Sequence, residues 1–325
     1  MKTENSLPQV YSNRTKKPIS RHLQEFWQQR DLQMMVLPWM ALLIIFSYIP
    51  MYGLIMSFQE YQLGDLPGFS KWVGTMHFQM LFQSPEFLGI MRNTLCISLL
   101  KLLINFPAPI LFAIMLNEIS NMAFKRTVQT ISYLPHFVSW VVVAGLTFDF
   151  LSSDGGLLNT LLQNMGIINQ QITFMAEPKY FWGIAILTDL WKEIGWNAII
   201  YIAAIASIDP ELYQAADIDG AGKLRKIWHI TLAGIKPTII ILLILTISNL
   251  LSAGFEQILL LTNNLANTTI QDIAEVIDTY VYRTGIMQMR YSYGTAAGLF
   301  KSVLSVLLLT IANYTARFLG EESLW

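Results

Sequence analysis

Six stretches of this chain, 34–58, 94–116, 128–151, 181–208, 238–261 and 294–314, are predominantly apolar and run for 21 to 28 residues each. A helix rises about 1.5 Å per residue, so around 20 residues cross a hydrocarbon core of about 30 Å. Inside lipid the backbone must satisfy its own hydrogen bonds, and runs of this length do so as helices. With 54% apolar and 13% charged residues and a mean hydropathy of +0.45, the 325-residue chain is an all-α membrane protein with six expected transmembrane helices, not a pair of soluble domains. The polar, basic first 30 residues are followed by no small-residue cleavage site, so the first apolar run is expected to be a retained helix.

The distribution of Lys and Arg orients the chain. With the N-terminus inside, the inner segments hold thirteen of the 21 basic residues and the outer segments five; Lys101, Lys192 and Lys301 lie in or near the bilayer. That bias puts both termini in the cytoplasm of a multi-pass protein of the inner (cytoplasmic) membrane. The expected organisation is a basic tail over 1–33, a transmembrane domain over 34–316 and a C-terminal tail over 317–325. Within the first tail, 23–30 reads as an interfacial helix anchored by Phe26 and Trp27. The outer segments run to roughly 30 residues, longer than ordinary connections, and are expected to carry short helices of their own. There Trp72, Phe78, Phe82 and Phe87 read as packing residues, and Gly294 and Gly298 as points of close helix approach.

The polar segment over 209–236 sits between the fourth and fifth apolar runs. Asp209-Pro210-Glu211 reads as a helix start, since an Asp N-cap accepts an orphan N–H and Pro at the first position has none to lose. Asp219-Gly220 reads as its stop, and a second short helix is expected over 223–230, carrying Lys223, Arg225 and Lys226. Gln214-Ala215-Ala216, Gly220 after three residues, Ile230 after nine more, then Leu232-Ala233, resembles the EAA loop of permease subunits in binding-protein-dependent ABC importers. Gln214 stands where the family has Glu, and Ala233 where it has Pro. The stretches 49–58, 106–119, 124–146, 254–261, 277–286 and 296–302 are similar to the branch that carries complex oligosaccharides and polysaccharide fragments, alginate importers among them. The resemblance implies a type I ABC importer permease architecture and a coupling loop that docks an ATPase through Gln214, Ala215, Ala216, Asp219, Gly220, Ile230 and Leu232. It also implies three kinds of partner: a dimer of ABC ATPase subunits, a second and related permease, and an extracytoplasmic solute-binding protein.

Ionisable residues inside a membrane are costly and mark function by default. The fourth run holds Trp191, Lys192, Glu193, Trp196 and Asn197, with Asn249 and Glu256 on the fifth and Lys301 on the sixth. These are the candidates for a substrate path, because hydroxyls need hydrogen-bonding groups and the C–H faces of sugars need aromatic rings. For an acidic uronate substrate, Lys192 and Lys301 would be the cations; the alternative is a structural salt bridge through Lys192 and Glu193.

Two other classes compete. A secondary transporter or channel would need no docking loop. An embedded enzyme would need catalytic groups, yet the four histidines His22, His77, His136 and His229 show no metal-ligand spacing, and His136 and His229 read as structural. Cys96, the single cysteine, excludes an intramolecular disulfide. No G-x-x-x-x-G-K-[ST] phosphate loop occurs, so ATP and Mg²⁺ are expected in a partner ATPase and no cofactor, metal or nucleic acid on this chain.

Overall fold

The computed structural model describes residues 29–325, which are almost wholly helical apart from an isolated antiparallel bridge between Gln59 and Trp72. The first tail, with Phe26 and Trp27, lies outside the described residues. The chain divides into two units, Met1–Leu54 and Ile55–Trp325. In the first, the helix begins at Arg30, passes a π turn at Ile44–Tyr48 and buries none of its residues. The packing and the sites described below belong to the second unit.

Its elements are α1 (Met76–Gln83), α2 (Phe87–Ile104), α3 (Pro107–Asn117), α4 (Met122–Tyr133), α5 (Trp140–Leu151), α6 (Leu157–Asn164), α7 (Pro178–Ala206), α8 (Pro210–Ile218), α9 (Lys223–Ser248), α10 (Phe255–Leu261), α11 (Gln271–Ala274), α12 (Ile277–Val281) and α13 (Tyr291–Phe318). Proline sets several of their starts: Pro107, Pro178 and Pro210 each open a helix, where the missing N–H leaves no bond unmade.

Among the described residues, four helical runs are long and apolar enough to cross a membrane: Arg30–Phe58, Phe87–Asn117, Lys223–Ser248 and Tyr291–Phe318. The expected third crossing is broken, with Met122–Phe137 meeting Trp140–Leu151 at 102°. Pro135 tightens the end of α4 into a 3-10 turn, Val138 and Ser139 are extended, and the Ser139 side chain caps α5 by accepting from Val142 N. The expected fourth crossing is α7, whose 29 residues include Asp189, Lys192 and Glu193. Those charges dilute its apolar density without shortening it.

Two expectations are corrected. The second short docking helix is not separate: Lys223–Lys226 continues through a π turn, Ile227–Thr231, into the long helix α9, because the backbone stays α-helical throughout. The fifth apolar run does not stay helical to residue 261. It stops at Ser248, and α10 starts only after Gly254, whose φ of +98° lies in the left-handed region open to glycine.

Between helices in lipid, close contact of small residues replaces the hydrophobic drive that water provides. A Cβ on Gly195 of α7 would lie 2.1 Å from the Ser132 carbonyl oxygen of α4, and one on Gly294 would lie 2.5 Å from the Gly285 Cα. Gly298 has open space and takes no part. Phe181, Ala185, Ile97, Ala253 and Ile258 build the core around the α2–α7–α10 junction. Of the aromatics in the outer segment, Trp72 stacks on Phe58 at 5.6 Å, while Phe82 meets Phe87 and Phe300 edge-on at 5.3 Å.

Candidate functional site

The docking segment forms where local chemistry dictates. Asp209 caps α8 by accepting from Glu211 N at 2.9 Å, Pro210 occupies the first position, and Gly220 ends the element at φ +71° with Ala221 N donating back to Ala216 O. No residue of α8 is buried. Gln214 and Ala215 face outward, while Ala216, Asp219 and Ile230 line a pocket of about 420 Å³ with Arg225, Lys226 and His229. The segment is fastened to α9 by Lys226 Nζ on Asp217 Oδ1 at 2.6 Å and by Tyr213 Oη with Thr231 Oγ1 at 3.0 Å. Leu232 is half-buried, and Gly234 admits Ile208, whose Cδ1 would lie 2.7 Å from a Cβ there. Thus α8 is tied to the N-terminal end of α9, and its outer face is exposed.

The second region is a stripe on α7. Asp189, Glu193, Trp196, Asn197 and Ile200 recur at the spacing that puts them on one helical face. Trp196 and Asn197 are exposed, and Asp189 and Glu193 are partly so. Charged and amide groups in the middle of a membrane helix do not face lipid; they face an aqueous cavity or another chain. A pocket of about 230 Å³ opens on this face, lined by Asp189, Asn197, Ile200, Lys101, Asn105 and Tyr201 among others.

Lys101, Asn105 and Gln257 escaped the sequence reading because their partners lie far away in the chain. Lys101 Nζ donates to Asp189 Oδ1 at 3.0 Å, Ala253 O at 3.0 Å and Gln257 Oε1 at 2.7 Å. Asn105 Nδ2 donates to Asp189 Oδ2 at 2.7 Å, and Gln257 Nε2 to Ala185 O at 2.6 Å. This network fixes the non-helical stretch before α10, and a Cβ at Gly254 would meet Lys101 Nζ at 3.0 Å.

At the other end of the stripe, His136 Nδ1 is 2.8 Å from Glu193 Oε2, and its ring stacks on Trp196 with centroids 4.2 Å apart and planes 1° apart. His136 is therefore part of the site, where the sequence suggested a structural residue; the only hint was its place after Pro135 in the run's break. Lys192 turns away from the cavity face. Only 5% exposed, it donates to the carbonyls of Pro135 and His136. Lys301 pairs with Asp278, both largely buried. Asn249 ends α9 and donates to Leu245 O, Glu256 is exposed, and Trp191 is half exposed on another side of α7. None of Trp191, Asn249, Glu256 and Lys301 lines the pocket. Of the expected set only Asn197 lines the pocket; Glu193 and Trp196 share its helical face and meet at His136.

Arg283 donates to Glu275 Oε1 at 2.6 Å and to Glu86 Oε2 at 2.7 Å. Burial pushes the guanidinium's pKa down, but the hydrogen bonds and charges of Glu275 and Glu86 outweigh it and leave the net shift upward.

The family model described as binding-protein-dependent transport system inner membrane component matches residues 105–320. The polygalacturonan/rhamnogalacturonan transport system permease protein YteP of Bacillus subtilis (strain 168) is 45% identical over 312 residues, covering 95% of each chain. A solved bacterial ABC transporter involved in the import of the acidic polysaccharide alginate contains a chain 41% identical, with a TM-score of 0.83 over 91% of this chain and 98% of that one. A chain of a bacterial alginate ABC transporter in complex with an alginate pentasaccharide-bound periplasmic protein is 40% identical, with a TM-score of 0.85 over 94% of this chain and all of its own length (100%).

Proposed function

Since the chain belongs to the binding-protein-dependent transport system inner membrane components, we propose that it is the permease subunit through which an ABC importer passes fragments of an acidic polysaccharide into the cytoplasm. The observation that carries the reading is the stripe from Asp189 to Ile200, a polar and aromatic face in the middle of a long membrane helix. Glu193, Asn197 and Asp189 offer hydroxyl-binding groups, while Trp196, stacked on His136 and meeting Phe137 edge-on at 5.5 Å, offers an aromatic face.

The outward face of α8, with Gln214 and Ala215, docks a separate ATPase, and Asp219, Gly220, Ile230 and Leu232 hold its shape. Tied to α9 through Asp217 and Thr231, the segment acts as a lever that turns closure of the ATPase dimer into exchange of cavity access. The chain hydrolyses nothing; ATP and Mg²⁺ belong to the ATPase. Lys236 pairs with Glu321, and Asn313 Oδ1 accepts from Leu324 N, so the C-terminus lies at the same end as the docking segment. With the positive-inside bias this supports cytoplasmic termini. A second permease completes the cavity, and a solute-binding protein delivers the saccharide from outside.

The test is ATP hydrolysis by the purified complex in liposomes, with its solute-binding protein loaded with an oligouronate or a neutral oligosaccharide. Stimulation by the oligouronate is expected. Stimulation by the neutral sugar alone refutes the acidic substrate, and absence of any co-purifying ATPase refutes the importer.

A further inference from the structure

Given the saccharide path proposed above, we infer that Lys192 is a positioning residue that closes the break in the third membrane segment, and not the cation that meets the substrate. At the 102° bend the last carbonyls of the first half run out of helical partners, which is costly in lipid: Pro135 O still accepts from Val138 N at 3.1 Å, while His136 O needs a donor from another helix. Lys192 supplies the donors. Its Nζ reaches His136 O and Pro135 O, lies 3.6 Å from Glu193 Oε1 and sits 5.6 Å from the Trp140 ring. A cation at the negative end of a helix is favourable.

The consequence reaches the cavity through His136. Its carbonyl is held by Lys192, its Nδ1 by Glu193, and its ring by Trp196. Releasing the carbonyl frees the turn that presents both His136 and Phe137, which is 72% exposed beside Trp196. The other two intramembrane lysines are also compensated: Lys101 by Asp189 and Lys301 by Asp278. This subunit therefore meets its saccharide through hydroxyl contacts and ring faces.

Lys192→Gln and Lys192→Met separate donors from charge, because the glutamine amide is neutral yet can still donate to the two carbonyls. In the reconstituted complex with its ATPase, second permease and binding protein, uptake of an oligouronate is expected to fall at least tenfold for Met. For Gln it should stay within about threefold of wild type. Indole emission follows the surroundings of the ring, so the part of the emission that Trp196→Phe removes reports the His136–Trp196 stack; its maximum should shift in Met and keep the wild-type position in Gln. Equal losses in both variants with a raised KM and an unchanged emission signal overturn the inference in favour of a substrate cation. Unchanged uptake in both overturns it as well. A Met variant that does not assemble beside a Gln variant that transports supports it; failure of both to assemble overturns it, since the amide keeps the donors. If the wild-type complex imports no saccharide, the function proposed above fails, and the emission signal alone decides the role of Lys192.

Discussion

Replacing Gly195 with Ala adds one methyl group at a close contact between α4 and α7. The new Cβ would stand 2.1 Å from the Ser132 carbonyl oxygen, 2.5 Å from its carbonyl carbon and 2.8 Å from its Cβ, whereas real Cβ contacts essentially never fall below 3.0 Å. Two of these atoms are backbone, so no rotamer change relieves the clash, and the helices must separate by about 0.9 Å. Overpacking of this kind costs about 1–3 kcal/mol, which at roughly 2.1 cal/mol/K of unfolding entropy per residue would lower the melting temperature by about 1–4 °C. The same shift would stretch the His136–Glu193 contact from 2.8 Å to about 3.7 Å, beyond hydrogen-bonding range. A displacement near 1 Å of groups that position a substrate can cost about a hundredfold in rate. Gly183, on the same helix, provides the control, since a methyl group added there would meet nothing within 4 Å. Uptake and thermal melting of the reconstituted complex should be impaired for Gly195→Ala and unchanged for Gly183→Ala. Wild-type uptake and melting in Gly195→Ala would falsify the reasoning.

Three other outcomes follow from contacts described above. Arg283→Ala strands the largely buried Glu275 carboxylate and should cost about 3–5 kcal/mol, read as a lower melting temperature, with Glu275→Gln in the same chain recovering part of it. Lys101→Met should impair assembly and uptake more than Lys101→Met combined with Asp189→Leu, because the single change leaves Asp189 charged in a partly buried site. Asp209→Ala removes the cap of α8 and about 1 kcal/mol of local stability; uptake and sugar-stimulated ATP hydrolysis should fall while the assembled complex is recovered in normal yield.

Legibility in the sequence followed the range of the interactions. The cap at Asp209, the stop at Gly220 and the start at Pro210 are local signals, and the structure has each where the sequence puts it. The continuation of Lys223–Lys226 into α9 was not legible, since the segment is polar and the apolar pattern begins only later; nothing in it breaks the helix. The bend after Pro135 was half legible. Proline announces a disturbance, but whether a helix kinks or breaks depends on who satisfies the released carbonyls, and for His136 O that is Lys192, 56 residues away. Polar residues in apolar runs were correctly singled out as exceptional, yet their type did not tell which way they point.

Sequence by itself determined the membrane class, the helical fold and the capped helix between Asp209 and Gly220, because hydropathy, capping and glycine conformation act within a few residues of where they are written. Only the tertiary structure decided that Lys192 serves a backbone break, that His136 belongs with Trp196 and Glu193, and that Lys101, Asn105 and Gln257 gather around Asp189. Charges in lipid must find partners, and helix packing brings those partners from 56 to 156 residues away.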